Sequence, residues 1–224
     1  MASGERGEAG RLKFPFENPV SSLPKTAQKI LDAAGRLLAE RGYEAVTLEN
    51  VALEASVNKA SIRYNFGNKA GLISALVDVL IHDECLRLAA TVKEIPEEER
   101  LHAAMTGIRG MILSADSFQG FFDVLPHAFR DPELRTRVFA LYKWWYQQNL
   151  TWLGLGGDPD YETNDVLMGV AELIAAITDG LSVQAGLDPD GFDLSRPLAT
   201  LELLLRNSMD QLRALAAQES VATG

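Results

Sequence analysis

The chain has 224 residues, 47% hydrophobic and 23% charged, with 18 glycines and 9 prolines. That is an ordinary globular composition, which excludes collagen-like, disordered and membrane-embedded chains as the general class. A formal charge of −10 argues against coating nucleic acid through bulk positive charge, and the single cysteine, Cys85, excludes an intrachain disulfide or a cysteine-based zinc cage.

Residues 1–22 mix Gly, Glu, Ser, Arg and Pro without a period and read as a flexible tail. MASGERGEAGRLK carries acids and no apolar core, so no secretory signal is expected. Nor is there an uncharged apolar run of about 18 residues to span a membrane; the most apolar segment, 166–177, contains Glu172. A cytoplasmic protein is expected. From Pro24, Ile30, Leu31, Ala34, Leu37 and Leu38 fall on one helical face, and Gly42 supplies the stop. Thr47 then N-caps a helix of barely two turns through Leu48, Val51, Ala52 and Ala55, with Glu49 near its positive end. Ser56-Val57-Asn58 interrupts, a third short helix covers roughly 59–64, and Asn68 caps a longer one through Leu72, Ile73, Leu76, Val79 and Leu80.

No sustained period-2 run and no hairpin signal follows, so the fold class is all-α. Pro96-Glu97-Glu98 opens a helix to about Leu113, and Phe118 to Phe129 suggests another. Asp131-Pro132-Glu133 gives an N-cap, an N1 proline and a first-turn acid, starting a helix that ends near Gly154. Two long helices remain, from Thr163 to about Ala185 and from about Ser195 to Ala217. The expected organisation is a tail (1–22), an N-terminal helix-turn-helix domain (23–80) and a larger helical domain (81–224).

Two short helices joined by a tight turn and flanked by supporting helices make a helix-turn-helix, whose second helix enters the DNA major groove. The chemistry suits it: between Ser56 and Lys69 stand Lys59, Arg63 and Lys69 and no acid. Residues 1–80 hold 10 Lys and Arg against 9 Asp and Glu, whereas 81–224 hold 11 against 22. Small Ala60 and Ser61 sit where the backbone must approach base edges, and Val57 and Ile62 point inward.

The run LENVALEASVNKASIRYNFGNKAGLISALV, with ILDAAGRLLAERGYEAVT before it and the spacing of Tyr64, Phe66, Lys69 and Leu72, resembles the DNA-binding domain of the tetracycline-repressor (TetR) family. The resemblance covers about residues 24–80. It implies that Thr47 meets a DNA phosphate through its hydroxyl and its helix end, and that Asn58, Lys59, Ala60 and Ser61 face bases or the adjoining backbone. Tyr64 and Lys69 would contact phosphate. Two positions depart from the family pattern: Ser56 replaces the usual turn glycine, and Arg63 stands where tyrosine is most common, making an ionic phosphate contact there. Phe66 reads as core, and Tyr64 as either core or contact.

Eleven of the 17 aromatic residues lie between Phe118 and Tyr161. Trp144 and Trp145 are about 100° apart on a helix, so one core does not readily take both. Trp144 and Trp145, with Phe121, Phe122 and Met105, are candidates to wall a site for a small apolar or aromatic effector, with His102 or His127 giving an orienting hydrogen bond. Leu167, Val170, Ile174, Ile177 and Leu181, with Leu201, Leu205 and Met209, exceed what one buried stripe requires and suggest a paired surface. TetR-like proteins dimerise through their last two long helices, which fits that reading. No nucleophile elbow, P-loop or zinc-protease motif is present, and Pro159 breaks the glycine loop after Trp152. No enzyme, cofactor or metal site is expected. The leading expectation is a homodimeric, effector-released repressor on a palindromic double-stranded operator. A helical small-molecule enzyme and a dimeric interaction protein retaining the fold are the alternatives.

Overall fold

The computed structural model describes residues 23–79, 95–113, 115–155 and 164–222; the predicted tail, Leu80 at the end of the fourth helix, Thr163 and Tyr161 lie outside them. Every regular element among the described residues is helical. Helix α1, Lys25–Arg41, buries Ile30, Leu31, Ala34, Leu37 and Leu38 along the predicted stripe. It ends at Gly42, whose φ of 74° lets its N–H donate to Leu38 O at 2.9 Å. A short 3₁₀ turn, Tyr43–Ala45, leads into α2, Leu48–Glu54, and α3, Lys59–Phe66. Both pack on α1 and on each other.

Helix α4 occupies 69–79, and every residue in 70–78 is buried, which makes it the centre of this part of the fold. Gly71 is obligatory there: a Cβ at this position would lie 1.9 Å from Phe66 O, so only glycine lets the end of α3 close onto the start of α4.

Five longer helices follow: α5 Glu97–Leu113, α6 Ala115–Ala128, α7 Pro132–Trp152, α8 Asp165–Leu187 and α9 Ser195–Ala222. The chain divides into two compact units, the first drawn from 1–86 and 116–141, the second from 87–115 and 142–224. Segment 116–141, carrying most of α6 and the start of α7, thus groups with α1 to α4. In the second unit α5 packs on α8 and α9, which also pack on each other.

The helix ends follow local chemistry. Asp131 Oδ1 accepts from the N–H groups of Glu133 and Leu134 at 2.9 and 3.1 Å, the predicted cap of α7. Gly154, with φ 68°, ends that helix in a Schellman motif through Gly154 N–H to Thr151 O and Leu155 N–H to Leu150 O. Asn164 caps α8 by accepting from Val166 and Leu167 N–H, which sets its start at Asp165. Helix α9 runs to Ala222, past the predicted end, because its closing residues supply no helix stop.

Helix α8 is, by length and composition, long and apolar enough to cross a membrane. It escapes a search for uncharged runs because Glu172 and Asp179 interrupt it. A helix apolar on more than one face meets the same criterion, and one side of α8 is buried against α5 and α9.

Candidate DNA-binding site

The turn between α2 and α3 is fixed at both ends by side chains and backbone. Thr47 Oγ1 accepts from Asn50 N–H at 3.1 Å, so the hydroxyl caps α2 and keeps its own proton to donate outward. At the other end Ser56 N–H donates to Leu53 O and Val57 N–H to Ala52 O, the two bonds of a Schellman motif. Ser56 occupies the left-handed position of that motif with φ 51°, so the chain makes the glycine turn without the glycine. Asn58 then caps α3: its Oδ1 accepts from Ser61 N–H at 2.8 Å and Ser61 Oγ at 3.0 Å.

Helix α3 turns Ile62, Asn65 and Phe66 inward and leaves Lys59, Ala60, Arg63 and Tyr64 on one exposed face. Tyr64 is 57% exposed, which settles it as a surface residue, while Phe66 belongs to the core. Of the predicted base-facing residues Asn58, Lys59 and Ala60 are exposed, and Ser61 is half-buried with its hydroxyl donating to Asn58 Oδ1. Lys59 Nζ lies 3.1 Å from Glu49 Oε2, a mutually exposed pair that a phosphate can displace. Arg36 and Glu54 tie α1 to α2 at 3.1 Å.

Lys69 opens α4 as predicted, but its side chain folds over a neighbour. Its Nζ lies 4.1 Å from the ring centroid of Tyr43 and donates to Tyr43 O at 3.4 Å. Burial holds the Lys69 amine below the usual lysine range, with Glu44 acting to raise it. Burial likewise pushes the Tyr43 phenol up, with Asp131 and Glu44 adding to it. The other partner of the Tyr43 ring is His127, stacked at 3.6 Å with 10° between planes. His127 Nδ1 is 3.9 Å from Glu44 Oε1. Asn68 caps α4 through Gly71 N–H and donates to Glu133 on α7 at 2.8 Å. Sequence reasoning missed Tyr43, Glu44 and Glu133; the pattern GYEAVT held Tyr43 in view but gave no sign of its partners.

The residues predicted to wall an effector site divide between the two units. Phe121, Phe122 and His127 lie in the first, where Phe121 is buried and meets Phe122 edge-on at 5.7 Å. His102, Met105, Trp144 and Trp145 lie in the second. Met105 and Trp145 are buried, Trp145 edge-on to Trp152 at 5.2 Å, and Trp144 is half-buried. The His102 side chain is 70% exposed and pairs with Glu202 at 3.0 Å. A further polar cluster joins α7 to α8: Tyr142 O–H donates to Asp179 Oδ2 at 2.5 Å, with the Tyr146 ring 6.1 Å from that of Tyr142. Burial raises the Asp179 carboxyl above its ordinary range, the Tyr142 hydrogen bond opposing it, and pushes both phenols up. Asn149 Nδ2 and Trp152 Nε1 are buried donors with no hydrogen-bond partner among the described residues.

The predicted dimer residues turn inward. Leu167, Ile174 and Leu181 on α8 and Leu201, Leu205 and Met209 on α9 are buried within their own unit, and Val170 and Ile177 are half-buried. The large apolar residues left exposed are Val166, Leu173, Val183 and Leu187 on α8 and Leu203, Leu204 and Leu215 on α9.

A capped two-turn helix, a tight turn and a second short helix offering an acid-free basic face define a helix-turn-helix DNA-binding protein. Residues 30–76 match the family described as bacterial regulatory proteins, tetR family. Residues 98–213, more than half the chain, match the C-terminal domain of BetI-type transcriptional repressors. The chain belongs to the TetR family of bacterial transcriptional regulators. It is similar to the HTH-type regulator YvkB of Bacillus subtilis (strain 168), 48% identical over 52 residues covering 23% of this chain and only 28% of that regulator. Similarity to the HTH-type regulator BetI of Brucella canis is lower but longer, 24% over 181 residues, covering 80% of this chain and 89% of BetI. A Saccharomonospora viridis protein whose structure was solved in complex with choline shares the fold with a TM-score of 0.59 at 21% identity, covering 81% of this chain and 96% of that one.

Proposed function

We propose that this regulator is a cytoplasmic, homodimeric repressor that binds a partly palindromic double-stranded operator and leaves it when a small molecule occupies the 81–224 domain. The observation that carries the DNA reading is the exposed face of α3, Lys59, Ala60, Arg63 and Tyr64, which bears two cations and no acid of its own in a chain of net charge −10, with Glu49 of α2 paired to Lys59. Thr47, Asn58, Ser61 and Lys69 stand around it at three helix starts, where N–H groups favour phosphate. In the dimer the two α3 helices would enter successive major grooves about 34–36 Å apart.

Dimerisation is assigned to the outward stripe of α8: Val166, Gly169, Leu173, Ala176, Gly180, Val183 and Leu187 alternate steps of three and four, and all but Gly169 are exposed. That spacing suits a helix pair crossing at a small angle, with Leu203 and Leu204 of α9 extending the apolar area.

For the effector, Trp144, Trp145 and Met105 supply apolar wall in the second unit, and the Tyr142–Asp179 pair supplies a carboxylate with no cation paired to it among the described residues. A half-buried carboxylate beside tyrosine rings suits an organic cation, since ring faces and charge attract it together. This narrows the effector from apolar or aromatic to cationic, a reading supported by the choline held by the Saccharomonospora viridis protein.

Selection of bound duplexes from random DNA tests the first reading: an enriched palindrome is expected, and no enrichment would reject DNA binding. Tryptophan fluorescence titrated with choline, tetramethylammonium and the neutral isostere 3,3-dimethyl-1-butanol tests the second. Quenching by the cations but not by the neutral alcohol is expected; equal responses would return the effector to an apolar class.

A further inference from the structure

The sequence pattern assigns Lys69 and His127 to different sites, one for DNA and one for the effector. In the structure they pack on one ring. Tyr43 sits in the turn between α1 and α2; Lys69 opens α4; His127 lies in the last turn of α6. The imidazole stacks at 3.6 Å, and the lysine ammonium stands 4.1 Å from the same ring centroid, held also by the Tyr43 carbonyl at 3.4 Å.

We propose that Tyr43 is a positioning residue that holds the Lys69 ammonium ready for an operator phosphate, and that His127 keeps the Tyr43 ring in place from α6. The proposal rests on the reading of Lys69 as a phosphate contact. A lysine left free loses several rotors when it meets a phosphate, whereas one already held over a ring loses few. The amine is half-buried and partly desolvated, which strengthens its attraction to an arriving anion. Around the ring the other charged groups are Glu44 from the same turn, 3.9 Å from His127, and Asp131 from the start of α7. Asn68, the residue before Lys69, is tied independently to Glu133 on α7, so the start of α4 is braced on two sides by the α6 and α7 ends. Displacement of the end of α6 therefore reaches a DNA-contacting cation through one aromatic ring, without any residue of α6 touching DNA.

The test is a double-mutant cycle on operator affinity in the full-length dimer, measured across salt concentrations. Lys69→Ala is expected to lower the salt slope by about 1.8, the loss of one phosphate contact in each protomer of the dimer. Tyr43→Leu keeps bulk but removes the ring face, and it should weaken binding about three- to tenfold with a comparable loss of slope. Tyr43→Phe should restore both. His127→Ala should weaken binding in wild type and do nothing further in the Lys69→Ala background, while His127→Phe, which keeps the stack, should behave as wild type. Additive losses in the double mutants, or a weaker Tyr43→Leu with an unchanged slope, would overturn the positioning role. If Lys69→Ala leaves the slope intact while Lys59→Ala lowers it, the DNA reading stands and this proposal fails; if wild type retards no selected duplex, both fall. Far-UV circular dichroism checks folding, and Tyr43→Phe with His127→Phe decides the matter should Tyr43→Leu not fold.

Discussion

Ser56 offers the most direct test of how the recognition turn is built. It is the only non-glycine with positive φ among the described residues, at 51°, in the position of a Schellman turn where glycine is favoured. An L-residue held left-handed costs about 1–2 kcal/mol. Glycine removes that cost but gains about 0.4–1 kcal/mol of freedom in the unfolded chain. Ser56→Gly should therefore stabilise the turn by about 0.5–1 kcal/mol, because both motif bonds are made by backbone N–H groups that the substitution leaves in place. Ser56→Val, branched at Cβ, should shift stability the opposite way. Urea denaturation followed by circular dichroism, with hydrogen exchange at Ser56 and Val57 to localise the change, measures both. Operator affinity of Ser56→Gly should stay within about twofold, since the turn geometry is already that of glycine. A Ser56→Gly protein of equal or lower stability would show that the positive φ carries no strain and that the argument from left-handed backbone is mistaken.

Lys59→Ala and Arg63→Ala should each weaken operator binding with folding intact, and Arg63→Ala should lower the salt slope by about 0.9 per protomer, about 1.8 for the dimer; unchanged affinity in both would remove the assignment of α3. Leu173→Glu should give monomers by sedimentation while remaining folded, because Leu173 is 64% exposed. Ile174→Glu should unfold instead of merely dissociating, since Ile174 is 2% exposed and an unpaired buried charge is not tolerated; the reverse pattern would exchange the two faces. Asp179 supplies a pH test with a defined sign. Burial raises its folded carboxyl above the ordinary 3.8, so its favourable contribution is present below that value and is lost as pH rises through the folded one. Asp179→Asn, which keeps an acceptor for Tyr142, should therefore raise stability at pH 7 with a gain that shrinks toward pH 4, and a gain independent of pH would contradict the burial argument.

Three caps were legible in the sequence because they are local: Thr47, Asn68 and Asp131 each accept from an N–H two or three residues on, within reach of side-chain type alone, whereas Asn58, which caps α3 in the same way, reads only as part of the turn. The inward face of α1 was legible for a similar reason, since its other face is polar. Helix α8 shows where this stops. Leu167, Val170, Ile174, Ile177 and Leu181 follow steps of three and four, but so do Val166, Gly169, Leu173, Ala176, Gly180, Val183 and Leu187 one residue away. Periodicity reveals that two faces are apolar and cannot say which is inside, because that depends on α5 and α9. The Tyr43 stack was illegible for the same reason in stronger form. Lys69 lies 26 residues from Tyr43 and His127 much farther, and no local spacing rule joins a turn tyrosine to a histidine at the end of another helix.

If the regulator is the proposed dimer, dimerisation and DNA binding are energetically one problem. Lys59, Arg63 and Lys69 give three candidate phosphate cations per protomer, and Glu49 competes for one of them. Six such contacts in a dimer imply a salt slope of about −5, so raising salt from about 50 to 200 mM should cost roughly 10³ in affinity. A protomer alone would have half that slope, and a net charge of −10 opposes its approach to DNA at long range. In the proposed dimer the net negative charge would oppose non-specific binding, and two recognition helices together would bring enough cations to overcome it. Leu173→Glu should consequently halve the salt slope as well as dissociate the dimer. A monomeric variant that kept the full slope would mean that the phosphate contacts lie elsewhere than on α3 and α4.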